Sequence, residues 1–284
     1  IHISNYYFSD VGVEYAEELL EVTGFNHGYF GNSGAEANEA AIKLARKYGQ
    51  LNGGDKRKTI VTLESSFHGR TIATLTATGQ KRFHPDCFAP YLSGFKTIKA
   101  NDFEALKTAF DDTTAALFIE CIQGEGGVNL IDPVWAKNAA DAARKAGAIV
   151  MADEVQTGIG RTGIFLASDR LGFNPEVVTL AKGIAGGIPM GACLFRGKAS
   201  DVLVAGDHQS TFAGNPLACA AAKVVLETVS DYDFLDRVNN AGDYIRGAIS
   251  GWNIPIVKDI RGSGLMFGIQ IDSSIKPFDI EVCC

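Results

Sequence analysis

Four short apolar runs recur along this chain, each followed by a polar or glycine-bearing turn and then by helically spaced residues. They are Thr59–Leu63, Ala115–Ile119, Ala148–Ala152 and Val177–Leu180, with Gly191–Phe195 as a further candidate. Near-continuous apolar runs of this length suit strands covered on both faces. Their alternation with helical stretches predicts an α/β fold whose large domain is a mostly parallel sheet flanked by helices. Helical spacing falls on residues 14–20, 35–48, 103–110, 134–145, 216–230 and 233–250. From about Trp252 the pattern changes to short β-like runs such as Leu265–Ile271. The expected organisation is a remnant of an amino-terminal segment over 1–12, a large domain over 13–250, and the start of an incomplete small α+β domain over 251–284. The first residue is Ile1, so the sequence is silent on any native leader.

Ligands of open parallel sheets sit beyond the carboxyl ends of the strands. Here those ends carry residues capable of chemistry: Ser66-Phe-His-Gly-Arg70, Glu120 with Gln123-Gly-Glu125, Asp153-Glu-Val-Gln156, and Lys182. Convergence of these segments on one crevice is stronger evidence than any one of them. A lysine and an aspartate closing two such runs suggest a pyridoxal phosphate site, where the lysine amine forms the Schiff base and the carboxylate keeps the ring nitrogen protonated. A nearly buried Asp153 is costly unless paired, and a protonated pyridine nitrogen is a suitable partner. An ion pair with an arginine is the competing explanation for Asp153, and a solvated surface charge is the ordinary one for a lone lysine.

Gly31-Asn-Ser-Gly-Ala-Glu-Ala-Asn38 runs into a helix whose apolar positions Ala37, Ala40, Ala41, Leu44 and Ala45 recur at i, i+3, i+4, i+7 and i+8. The N–H groups of Gly34 and Ala35 at its positive end suit a phosphate. An ordinary cap by Asn32 or Ser33 explains the motif equally when it is taken alone. No Gly-Lys-Ser/Thr follows, and Gly-x-Gly-x-x-Gly spacing is missing, which disfavours the nucleotide and dinucleotide motifs. Phe67 is placed to stack on a flat cofactor, although an isolated phenylalanine is more often core. Val155 is expected on a ring face, Gln156 at the ring hydroxyl, and Glu154 is grouped with them as cofactor-binding. Arg70 offers a planar fork for a substrate carboxylate, against the usual surface arginine. Ser210 and Thr211, in a turn before a long helix, are candidates for phosphate or substrate, and Glu125 for substrate. His68 is read either as a base or as a packing residue, because Lys182 is itself a positioned base.

With 284 residues, 46% of them hydrophobic and a formal charge of −7, the composition predicts a soluble small-molecule enzyme and disfavours a nucleic-acid surface. The six cysteines form no Cys-x-x-Cys pair and no zinc-type cluster, so reduced buried thiols, a cytoplasmic setting and no metal site are expected. No apolar stretch approaches a membrane span.

Four strings together, Asn32–Arg46, Ser66–Thr71, Asp153–Gly163 and Gly206–Ala218, resemble the class III aminotransferases of pyridoxal phosphate fold type I, most closely those acting on acetylornithine. The resemblance runs from His2 through Met266. It implies Lys182 as the Schiff-base lysine, Asp153 at the ring nitrogen, Gly34 and Ala35 at the phosphate, Phe67 on the ring, and Arg70 and Ser210 as substrate contacts. It also implies a homodimer in which Thr211 reaches the cofactor of the neighbouring subunit. The implied reaction is ping-pong transfer of the terminal amino group of N2-acetyl-L-ornithine to 2-oxoglutarate. Aminotransferases for ornithine, succinylornithine or 4-aminobutyrate share the cofactor residues, and glutamate-semialdehyde aminomutases share the fold and the lysine. Cys121 stands where these relatives usually have proline.

Overall fold

The computed structural model describes residues 1–4 and 6–275. The chain runs α1 (Asp10–Thr23), β1 (His27–Gly31), α2 (Gly34–Gly53), β2 (Thr59–Leu63), α3 (Ile72–Ala77), β3 (Phe95–Ile98), α4 (Phe103–Leu106) and β4 (Thr114–Glu120). There follow β5 (Ile122–Gln123), β6 (Asn129–Leu130), α5 (Pro133–Lys145), β7 (Ile149–Asp153), α6 (Ala167–Leu171), β8 (Val177–Leu180) and β9 (Gly191–Phe195). The last elements are α7 (Pro216–Val229), α8 (Tyr232–Gly251), β10 (Val257–Ser263) and β11 (Met266–Ile271).

Seven strands form the central sheet in the order β1-β9-β8-β7-β4-β2-β3. Strands β3, β2, β4, β7 and β8 are parallel; β9 runs against β8, and β1 against β9. The sheet is therefore mostly parallel, as the apolar runs predict, with β9 the one reversed strand. Every residue of β4 is buried. Val61, Leu117, Val150 and Val178 point into one apolar layer with α5 and α7; Ile60, Phe118, Met151 and Val177 point into the other with α2. This two-sided burial is why the strands read as continuous apolar runs rather than as alternating ones.

The alanine stripe of α2 closes one face: Ala37, Ala40, Ala41, Leu44 and Ala45 are all fully buried. Ser33 caps the helix by accepting a hydrogen bond from the Glu36 N–H at 3.2 Å. On the other face Asp132 caps α5, and the buried Trp135 anchors it by donating its Nε1–H to the Asp102 carbonyl at 3.0 Å.

Some elements depart from the expected ones. Helix α4 ends at Leu106, short of 110, and the carbonyls of Thr108 and Ala109 are taken by the Lys96 ammonium. Strand β1 lies at one sheet edge and is only half-buried, so its sequence His-Gly-Tyr-Phe-Gly carries no apolar run. Strands β10 and β11 pair antiparallel in a sheet of their own, which covers the β-like run at 265–271. This hairpin rests on the loop after β7 and on α8, with the Leu265 N–H donating to the Arg161 carbonyl at 3.0 Å and Arg246 Nη1 to the Gly264 carbonyl at 2.8 Å. Of the segment 251–284, residues 276–284, including Cys283 and Cys284, lie outside the described residues, as does Asn5. The four described cysteines are free thiols; Cys121, Cys193 and Cys219 are buried and Cys87 is exposed.

Candidate active site

The carboxyl ends of β2, β4, β7 and β8 lie along one edge of the sheet. The end of β1 joins them because β1 is reversed relative to β9, with Gly31 and Gly191 in register. Gly191 is required there: a Cβ on it would fall 2.3 Å from the Ser33 carbonyl oxygen, so only glycine lets the loop before α2 settle against β9. A cavity of about 490 Å³ opens at this edge, within the usual range for small-ligand sites. Its walls bring together Gly34, Ala35, Phe67, Arg70, Glu125, Asp153, Val155, Gln156 and Lys182. The structure places Glu154, Ser210 and Thr211 outside these walls.

Asp153 closes β7 and is 4% exposed. Its Oδ2 accepts from Asn38 Nδ2 at 2.8 Å and lies 2.8 Å from His68 Nδ1, while Oδ1 accepts from the Val155 N–H at 3.0 Å. A carboxylate offers about four acceptor sites, so three donors leave room for one more, such as a protonated ring nitrogen. A carboxylate beside His68 Nδ1 places the ring proton on that nitrogen. The ring stacks on Phe118 with centroids 4.3 Å apart, and Nε2 is buried without a hydrogen-bond partner among the described residues. His68 therefore serves Asp153 in this arrangement and is not aimed as a base.

Asn38 was not among the expected site residues. It sits on the buried side of α2, and its Nδ2 donates both to Asp153 and to the His68 carbonyl at 2.7 Å. A polar residue flanked by the buried Ala37, Ala40 and Ala41 is the sequence signal that could have found it.

Glu120, at the end of β4, is the direct register partner of Asp153 and also lines the cavity. Its Oε1 accepts the Phe67 N–H at 2.8 Å. Burial, and after it the Asp153 charge, pushes its carboxyl well above the usual carboxylate range. The signal in the sequence is an ionisable residue ending an apolar run, as Asp153 does.

Lys182 follows β8 with φ +50, a left-handed backbone uncommon outside glycine and costing on the order of 1 kcal/mol or more. Its side chain makes no hydrogen bond or ion pair among the described residues. The N–H groups of Gly34 and Ala35, at the positive end of the 20-residue α2, likewise have no acceptor among the described residues. Gln156 lies against Gly124, where a Cβ would come 1.5 Å from Gln156 Oε1, so glycine at 124 leaves the carboxamide its place.

At the mouth, the Phe67 and Phe83 rings meet edge-on with centroids 5.4 Å apart, and the exposed Arg70 places its guanidinium 5.6 Å from the Phe83 centroid. Ser210 Oγ accepts from Asn32 Nδ2 at 2.9 Å, beside the wall and not in it. Thr211 is exposed. Glu154, grouped with the cofactor residues in the sequence, faces the other way. Its Oε2 accepts from Thr157 Oγ1 at 2.7 Å and the Ala167 N–H at 2.9 Å, and its Oε1 from the Ser168 N–H at 2.7 Å. Complete burial raises its pKa, and these donors oppose the rise.

An uncommitted lysine, two free N–H groups at a helix start and a buried carboxylate with one acceptor site left are what a flat, phosphorylated, aldehyde-bearing ring requires. The family described as aminotransferase class-III matches residues 1–280. The chain belongs to that family. Class III aminotransferases depend on pyridoxal phosphate, and the residues present fit it. Among its relatives, the acetylornithine aminotransferase of Haemophilus ducreyi is 44% identical over 284 residues, all of this chain and 71% of that protein. The ornithine aminotransferase of Toxoplasma gondii has a similar structure, with a TM-score of 0.92 and 34% identity over 98% of this chain and 68% of that one. A second structure of that enzyme, with a TM-score of 0.90, 34% identity and the same coverage, has partial occupancy of pyridoxal phosphate at its active site. As a class III aminotransferase, this chain takes an amino donor and an oxo acid as substrates.

Proposed function

We propose that this aminotransferase moves the terminal amino group of N2-acetyl-L-ornithine to 2-oxoglutarate, giving N-acetylglutamate 5-semialdehyde and glutamate. The observation that carries this donor is that identity to an acetylornithine aminotransferase extends over the whole chain. Pyridoxal phosphate, when bound, supplies a carbon that accepts the donor's nitrogen and a ring that spreads the charge left when a C–H proton departs.

The chain's own residues do the rest. Gly34 and Ala35 hold the phosphate through their free N–H groups and the positive end of α2. Asp153, oriented by Asn38 and His68, keeps the ring nitrogen protonated. Phe67 and Val155 enclose the ring and exclude water, and Gln156 takes its hydroxyl. Lys182 Nζ would hold the cofactor at rest and, when its amine is free, would carry the proton that leaves the donor carbon bearing the transferred nitrogen. Arg70 receives a substrate carboxylate, with Ser210 and Glu125 at the rim.

The active unit is a homodimer in which Thr211, exposed and outside its own cavity, reaches the phosphate site of a second copy. Residues from 251 onward belong to a second, smaller domain. The proposed setting is the cytoplasm, a reading supported by the free thiols of the described cysteines.

The test is spectroscopic. Adding N2-acetylornithine to the cofactor-loaded protein should abolish the visible band of the bound cofactor, and 2-oxoglutarate should restore it. Ornithine, succinylornithine and 4-aminobutyrate should act more slowly; a faster response to any of them reassigns the donor, and no response to any amine overturns the reading. Mixing Lys182→Ala and Thr211→Ala proteins should regenerate one intact site per mixed dimer, and no recovery would refute the shared site.

A further inference from the structure

The cavity floor carries two carboxyl groups, and their surroundings treat them unequally. Glu120 and Asp153 end adjacent parallel strands in direct register, and each is 4% exposed. Asp153 is served by three groups, Asn38 Nδ2, His68 Nδ1 and the Val155 N–H. Glu120 receives one, the Phe67 N–H, and its other oxygen has no hydrogen-bond partner among the described residues. The charged groups that act on it are Asp153 from β7, Lys182 from the turn after β8, and Glu125 from the loop after β5. His68 sits beyond Asp153 and is already committed to it. Two buried carboxylates side by side do not both ionise without a large penalty, and the anion belongs where the donors are.

We propose that Glu120 stands in this site as a neutral carboxylic acid, positioning Phe67 through the N–H that Oε1 accepts and offering its O–H to an acceptor oxygen of the bound cofactor. Burial and the neighbouring Asp153 charge both act in this direction. The consequence is a floor with a single negative charge, matched to a single protonated ring nitrogen. A second anion there would need a second cation, and Lys182 is required elsewhere. The inference rests on the proposed cofactor site and not on the identity of the amino donor.

Infrared difference spectra of the full chain against Glu120→Gln, loaded with pyridoxal phosphate and stripped of it, test the protonation directly. At neutral pH the wild type should show a protonated-carboxyl C=O band that the variant lacks, with no matching loss in the carboxylate bands. Loss of carboxylate absorption instead would overturn the proposal. A second readout is the pH titration of the bound cofactor's visible band. Removing a neutral acid should leave its midpoint within about 0.3 units, whereas removing an adjacent anion moves it by about one unit or more. Asp153→Asn serves if Glu120→Gln does not fold. By deleting the neighbouring charge it should let Glu120 ionise about one unit or more lower in pH, and an unmoved band would refute the pairing. Failure of the protein to use N2-acetylornithine would leave all these bands in place, so the two readings fail separately.

Discussion

Asn38→Asp replaces one atom type in the cavity floor and should convert a stabilising donor into a pH-dependent penalty. Asn38 Nδ2 is held between two acceptors, Asp153 Oδ2 at 2.8 Å and the His68 carbonyl at 2.7 Å, while Oδ1 is buried without a hydrogen-bond partner among the described residues. In the variant a carboxyl oxygen takes the place of Nδ2, directly against Asp153. The added group is an acid whose folded pKa must rise, because two contacting buried carboxylates share a proton. An acid raised in this way leaves the fold least perturbed below its unfolded pKa of about 3.9, and the penalty grows as pH climbs from there to the folded value. With a rise of about 3 units, each about 1.4 kcal/mol, the proton-linked cost is about 1.5 kcal/mol at pH 5 and about 4 kcal/mol at pH 8. Asn38→Ala lacks that dependence. It loses a bond to a charged acceptor, about 1.5–3 kcal/mol, and one to a neutral carbonyl, about 0.5–1.5 kcal/mol, equally at both pH values. Urea unfolding of the cofactor-stripped proteins at pH 5 and pH 8 measures both. A deficit for Asn38→Asp that does not widen by at least about 1 kcal/mol between the two pH values would refute the direct contact with Asp153.

Glu154→Ala removes the acceptor of Thr157 Oγ1 and of two buried N–H groups at the start of α6, and should cost about 3–5 kcal/mol of unfolding free energy with a smaller effect from Glu154→Gln; equal effects would show that these bonds do not matter. Gly191→Val places a Cβ 2.3 Å from the Ser33 carbonyl and displaces the loop before α2, so absorbance titration should show pyridoxal phosphate affinity falling by about tenfold or more, some 1.4 kcal/mol, while the far-ultraviolet dichroism is kept; unchanged affinity would detach that loop from the phosphate.

The strand ends were legible in the sequence because burial on both faces writes a parallel strand as an unbroken apolar run. Whatever interrupts such a run at its carboxyl end stands out, and Asp153 and Lys182 were found in that way. Glu154 shows the limit of the same reasoning. Successive residues leaving a strand point in opposite directions, so the neighbour of Asp153 faces away from the cavity, and adjacency in sequence mistook it for a cofactor residue. Asn38 and the committed role of His68 were hidden for another reason: they arrive from α2 and from the loop after β2, and only the fold brings Asn38 within 2.8 Å of Asp153. Strand β1 leaves no such mark in the sequence, because its half-buried edge position requires no apolar run.

The reversed strand β9 has a role in this site that its own side chains do not reveal. Were β9 parallel to β8, an antiparallel β1 would end at the opposite edge of the sheet, and the start of α2 would face away from Asp153 and Lys182. With β9 reversed, β1 again runs with β8, and Gly31 meets Gly191 at the edge where the cavity opens. The same step that brings the free N–H groups of Gly34 and Ala35 to the cavity carries Asn38, about one turn further along α2, to the Asp153 carboxylate. The proposed phosphate site and the support of the aspartate are thus adjacent turns of one helix, and the Gly191 substitution that moves the first should also disturb the second. The Asn38–Asp153 bond offers the measurement: in Gly191→Val, the added cost of Asn38→Ala should fall below its value in the wild type, since a displaced helix start has already loosened that bond. Full additivity of the two substitutions would refute the coupling.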